Sequence, residues 1–101
     1  MTIRNAALEG IRVIDMTRVL AGPIGAQILG DLGADVIKVE RPGAGDDGRV
    51  YGLAEVEGRD GVNLRQAGFF VAANRNKRSI TLNHSKPEGQ EILRKLIAGS
   101  D

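Results

Sequence analysis

A chain of 101 residues, 42% hydrophobic and 27% charged, has the makings of one small folded domain rather than a disordered or membrane-embedded segment. Fourteen basic against thirteen acidic side chains leave a net charge of +1, which excludes a nucleic-acid binder driven by charge. With no cysteine and one histidine, His84, the sequence also excludes disulfides, thiolate-ligated zinc, thiol nucleophiles and a metal site built on histidines.

The start, Met1 to Glu9, lacks the apolar core of a signal peptide, and no apolar run approaches the ~20 residues that span a bilayer. A cytoplasmic protein with no membrane partner is expected. Ile11-Arg12-Val13-Ile14-Asp15 is short and β-branched, follows Gly10 and runs into Thr17 to Pro23, which reads as a strand and then a loop. From Pro23, apolar residues fall at Ile24, Ile28, Leu29 and Leu32, a helical stripe with Pro23 in its first turn and Gly33 as its stop. Ala34 to Glu40 returns as a second strand. Strand, helix and strand are complete within roughly 30 residues, the size of a right-handed crossover between parallel strands.

Arg41 to Gly68 differs in kind. It holds Gly43, Gly45, Gly48, Gly52, Gly58, Gly61 and Gly68, half of the fourteen glycines, and reads as one long loop. Loops beyond about 12 to 15 residues are usually functional or mobile, so an idle connector is not expected here. Lys77 to Leu82 resumes as a third strand. Ser85 and Glu88 have the spacing of a capping box, followed by a helix with Ile92, Leu93, Leu96 and Ile97 on one face and Gly99 at its end.

The order strand-helix-strand-long loop-strand-helix is the opening of an α/β, Rossmann-like open parallel sheet, in which ligands sit beyond the carboxyl ends of the strands. Those ends are Asp15 to Gly22, Glu40 to Gly43 and the turn after Leu82. Strands apolar on both sides need covering, by more chain or by a partner subunit. The expectation is an amino-terminal portion, residues 1–101, of a larger enzyme.

A dinucleotide fingerprint is missing, because the first loop offers only Gly22 and Gly25. Glu40 stands where a ribose-binding acid would stand, but without those glycines a structural or charge-pairing role is expected. The amino end of the first helix still favours an anion through its free N–H groups and dipole. Arg41, Arg75, Lys77 and Arg78 suit a polyphosphate, Arg through forked hydrogen bonds and Lys as a point charge; equally, they suit a solvated basic rim. Asp46-Asp47-Gly48 lacks the further acids of a calcium loop, so no metal is expected. Asp15 at a strand end is read as capping a turn rather than as catalytic, and His84 as exposed or turn-bonding rather than as a general base. One histidine and no nucleophile elbow exclude a Ser-His-Asp site.

Four motifs occur in order: Leu8 to Asp15; Leu20-Ala21-Gly22-Pro23; Asp31 to Gly43 with Gly45-Asp46-Asp47; and Asn74-Arg75-Asn76-Lys77-Arg78-Ser79. As a set they closely resemble the amino-terminal region of the class III CoA-transferases, the formyl-CoA and carnitine-CoA transferase type. The resemblance implies a Rossmann-like CoA-binding domain and an interlocked homodimer. It also implies transfer of CoA between carboxylic acids through acyl-aspartyl and aspartyl-CoA intermediates, which is covalent catalysis by a carboxylate. The substrates would be an acyl-CoA and an acid, with no prosthetic group. Carried over motif by motif, Arg18, Leu20 and Ala21 would lie along the CoA channel, Arg41 at the adenosine phosphate end and Leu82 near the adenine. Ser85 departs from a frequent lysine that helps hold CoA, and Lys86 stands beside it.

No aspartate here matches the nucleophile's motif, so no catalytic residue is assigned and the chain alone is expected to be inactive. The α-methylacyl-CoA racemases share the implied fold, but the long Gly-rich loop before Asn74 looks more like the transferase branch. A non-catalytic domain that binds CoA or docks to a partner is the third reading.

Overall fold

The computed structural model describes residues 5–51, 55–57, 59–61 and 63–101, with side chains at all of these except 55–57 and 63–66. Residues 1–4, Gly52 and Gly58, which figure in the sequence reading, lie outside the described residues.

Gly10, at φ +86°, turns the chain into β1 (Arg12–Asp15). A short loop leads to α1 (Ala21–Asp31), which starts two residues before Pro23 and keeps that proline in its first turn. The helix ends as expected at Gly33. Its φ of +105° lets the Gly33 amide donate to Gly30 O and the Ala34 amide to Leu29 O, at 3.0 and 3.1 Å, satisfying carbonyls that the helix would otherwise leave open. The chain then drops into β2 (Asp35–Glu40).

β2 lies between β1 and β5 (Lys77–Thr81), and both pairings are parallel, with Asp15 opposite Lys38 and Glu40 opposite Thr81. Because side chains alternate along a strand, that register places Val13, Asp15, Val36, Lys38, Glu40, Lys77 and Ser79 on one face. α1 packs there, and Ala26, Ala34 and Val36 form a small core with Leu8, Ile11 and Val13 against it. The opposite face carries Ile14, Ile37, Val39 and Ile80. α3 (Pro87–Ala98) returns the chain toward β1, setting Ile97 and Ser100 beside Val13 and Ile14, and the Asp101 amide donates to Arg12 O at 2.9 Å. The α/β class, the open parallel sheet and its three strands are as expected.

Two expectations are corrected. Arg41 to Gly68 is not one long loop. It contains a 3-10 turn at Asp47–Val50, an antiparallel hairpin of β3 (Glu55–Glu57) and β4 (Asn63–Ala67), and the start of a short helix, α2 (Gly68–Ala73). The glycine count hid a hairpin signal, Asp60-Gly61, in which Gly61 takes φ +78°. α2 has six residues, too few for a periodic pattern, yet it buries Phe70 and Ala73. Nor does Ser85 cap α3. Pro87 forces the residue before it into extended backbone, so Lys86, with ψ 147°, is the cap residue, and the Ser85 hydroxyl donates to Asn83 Oδ1 instead.

Candidate functional site

The carboxyl ends of β1 and β2 open into a cleft of about 210 Å³, with Met16, Arg18, Arg41 and His84 on its walls and Lys38, Glu40 and Asp46 beneath. Three ion pairs stand at or beside it. Lys77 Nζ meets Asp15 Oδ2 at 2.8 Å, with side chains 2% and 0% exposed, and also donates to Pro23 O and Asn74 Oδ1. An ammonium has three protons, and all three are used. Lys38 Nζ meets Asp46 Oδ2 at 2.8 Å, both side chains 1% exposed, and donates to Thr17 O at 3.1 Å. Arg49 forks onto Glu40 with two bonds of 2.7 Å and stacks 3.9 Å over the Phe70 ring.

These charges gather because Asp15, Lys38, Glu40 and Lys77 all project from the α1 face of the sheet. Buried charge of one sign is expensive unless matched, and here each charge is met by its opposite. Burial pushes the Glu40 carboxyl up, but the Arg49 fork, the Ser79 hydroxyl and the Asp46 amide outweigh it and hold the pKa at about 2. Asp46 is likewise held below its ordinary value: burial opposes this, but the Lys38 ammonium and the amides of Gly48 and Val19 prevail. For Lys77, burial wins over its carboxylate partner and lowers the pKa.

The network grips the loop between β1 and α1. Asp15 Oδ1 accepts from the Thr17 amide at 2.9 Å and from the Thr17 hydroxyl, a turn-capping role in line with the sequence reading. Asp46 Oδ1 accepts from Val19 N at 3.0 Å and from Gly48 N at 2.9 Å. Val19 has φ +76°, where a β-branched residue rarely goes and where strain is of order 1–3 kcal/mol. Gly22 is needed behind this loop, since a Cβ there would sit 2.5 Å from Thr17 Cβ.

The residues singled out from the sequence fall at two edges. Arg18 and Arg41 line the cleft, and Leu20 and Ala21 form the exposed start of α1 beside it. Leu82 follows β5 at the same edge, its amide donating to Glu40 O. Arg41 also pairs with Asp47. Lys77 does not line the cleft: it is buried against Asp15 and borders a second pocket with Lys38, Asn74 and Arg75. Arg75 and Arg78 are at the amino edge, 62% and 65% exposed, paired with Asp31 and Asp35. The Arg75 bond is the largest influence on Asp31 and holds its carboxyl below the ordinary value; at Asp35 burial is the largest single influence and raises it, but Arg78 and Arg12 together prevail and lower it. Glu40 is charge-paired and His84 is exposed, as read. Among the described residues no cluster of acids and histidine could hold a metal, and no helix is long and apolar enough to cross a membrane.

Lys38 and Asp46 figure in the sequence reading only as motif residues, Asp46 also as a rejected calcium ligand, and Arg49 not at all; their pairing roles escaped it. One signal was available for Lys38: a lysine inside Val36-Ile37-Lys38-Val39, a run that reads as buried on both faces, demands an acid partner. Nothing local marks Asp46 as that partner.

An open, all-parallel three-stranded sheet with a cleft at its carboxyl edge, flanked by Arg18 and Arg41, makes the molecule an α/β protein with its candidate site where such sheets bind ligands. The family model described as CoA-transferase family III matches residues 8–101, and the chain belongs to that family. It is 50% identical over 101 residues to a succinate–glutarate CoA-transferase of Agrobacterium fabrum, covering all of this chain and 25% of the relative. It is 48% identical over 94 residues to the human succinyl-CoA:glutarate CoA-transferase, covering 93% of this chain and 20% of that one. A formyl-CoA:oxalate CoA-transferase of a Bradyrhizobium strain is 46% identical over 95 residues, 94% of this chain and 21% of its own. The crystal structure of a CaiB/BaiF family protein from Brucella suis superposes with a TM-score of 0.87 at 46% identity, covering 97% of this chain and 25% of that one. The chain thus spans about a quarter or less of the length of these relatives.

Proposed function

We propose that the chain supplies the coenzyme A-facing portion of a cytoplasmic, homodimeric CoA-transferase that moves CoA between carboxylic acids through an aspartyl intermediate. The reading is carried by the family match across residues 8–101, which includes both arginines of the cleft. The relatives named for succinate, glutarate and oxalate share a short dicarboxylic acid, and that is the acid class proposed here. In this reading Arg18 and Arg41 take CoA phosphates by forked bonds, Arg41 giving up Asp47 for one of them. Leu20 and Ala21 offer the free amides at the start of α1, and Leu82 packs by the adenine. Lys77 supports the cleft through Asp15, and Arg75 and Arg78 remain a paired basic rim at the far edge. No aspartate of the chain is assigned as the nucleophile.

The test uses the protein carrying this chain, given succinyl-CoA with labelled glutarate and formyl-CoA with labelled oxalate. Label entering acyl-CoA is the expected result. Label in neither product overturns the transferase reading, and loss of α-hydrogen label without transfer would indicate the racemase branch. Arg41→Ala should weaken CoA binding about ten- to a hundredfold, the worth of a charge-assisted phosphate contact.

A further inference from the structure

Asp46 and Lys38 make a buried ion pair that stability alone does not explain, because such a pair is commonly replaced by apolar side chains at little or no loss. What the pair does is hold backbone. Asp46 Oδ1 accepts from the Val19 amide, Lys38 Nζ donates to the Thr17 carbonyl, and Asp15 Oδ1 accepts from the Thr17 amide. All three side chains are carried by or packed on the sheet face beneath, with residue exposures of 2% or less. Arg18 stands between the two anchored residues, and Leu20 follows directly.

Val19 makes the grip necessary. At φ +76° it sits where a β-branched side chain crowds its own backbone, so a released loop would relax toward negative φ and swing Arg18 and Leu20 away from the cleft.

We propose that Asp46 and Lys38 are positioning residues for coenzyme A, acting through the backbone of Thr17 and Val19 to hold Arg18 and Leu20 in their binding pose. The proposal deepens the CoA reading and rests on it. Neither side chain need touch the ligand.

The experiment measures CoA affinity by calorimetry, and thermal unfolding beside it, in the whole protein that carries this chain. Lys38→Met with Asp46→Ala removes both charges together and leaves no orphan ion. It is expected to weaken CoA about tenfold. Adding Val19→Gly, which adopts positive φ without crowding, should restore affinity to within about threefold of wild type. A merely structural pair would show no such rescue, so an undiminished loss in the glycine background overturns the proposal, as does wild-type affinity in the folded pair variant. Should the pair variant not fold, Val19→Pro answers alone: it deletes the amide donor and fixes φ near −65°. A tenfold loss there supports the proposal, and wild-type affinity overturns it. If the wild type binds CoA and the variants match it, only the positioning fails; if the wild type binds no CoA, both readings fall.

Discussion

Glu40 shows how one residue can tie the stability of the sheet to pH. Its carboxyl titrates at about 2 in the folded protein against an ordinary 4.5. A depressed carboxylate stabilises the fold fully above the unfolded value, and that contribution is lost as pH falls from about 4.5 through about 2. The difference corresponds to about 3 kcal/mol. Denaturant unfolding at pH 7, 4 and 2.5 should therefore show a steep loss for the wild type, and a shallower one for Glu40→Gln, which starts less stable and has no such carboxylate to protonate. Parallel slopes would mean that Glu40 is not the titrating group. The sequence allowed Glu40 a charge-pairing role, yet it could not say that Arg49, nine positions on, would be the partner. That pairing depends on the 3-10 turn at Asp47–Val50 bringing the guanidinium back over the sheet.

The elements are held by close approaches that periodicity cannot reveal. In the first turn of α3, a Cβ on Gly89 would lie 1.8 Å from the Asn83 carbonyl oxygen, a backbone atom with nowhere to move. Gly89→Ala should accordingly lower the melting temperature, although glycine to alanine inside an open helix gains about 1 kcal/mol. Ser85→Ala should change stability by less than about 0.5 kcal/mol, since the hydroxyl serves Asn83 and not the helix end; a capping serine would cost about 1 kcal/mol. Thermal unfolding of the two variants side by side reads both, a clear loss for Gly89→Ala and almost none for Ser85→Ala. The capping-box spacing misled because Pro87 decides the local backbone, an effect one residue long that outweighs a pattern four residues long.

Beside its small core, the molecule leaves large apolar side chains exposed on two helices. Ile24, Ile28 and Leu32 repeat every four residues along α1 at 38%, 51% and 46% exposure, and Ile92 and Ile97 of α3 are about half exposed. A helical stripe of this kind normally faces other protein. Expressed by itself, the 101-residue chain is expected to bind the dye ANS and to give no label exchange between acyl-CoA and free acid. Exchange by the isolated chain would require an aspartate within it to act as nucleophile. Of the described aspartates, Asp15, Asp31, Asp35, Asp46 and Asp47 are paired with cations, and Asp101 accepts from the Arg12 amide.

The strand-helix-strand unit, the stop at Gly33 and the parallel sheet were legible because each rests on local pattern: β-branched runs, a stripe at Ile24, Ile28 and Leu32, and a glycine where the backbone turns left-handed. The ordered motifs likewise sufficed for the family, since they follow the same local signals. The cleft itself was a tertiary decision. Lys77 meets Asp15 across 62 residues only after the register of three strands has put them on one face, and Lys38 meets Asp46 only because the loop after β2 folds back over that face. The same register parts Arg41 from Arg75 and Arg78, which the sequence grouped by charge alone. Charge and spacing are carried along the chain, but the edge of the sheet at which a side chain ends up is set by pairing between strands distant in sequence.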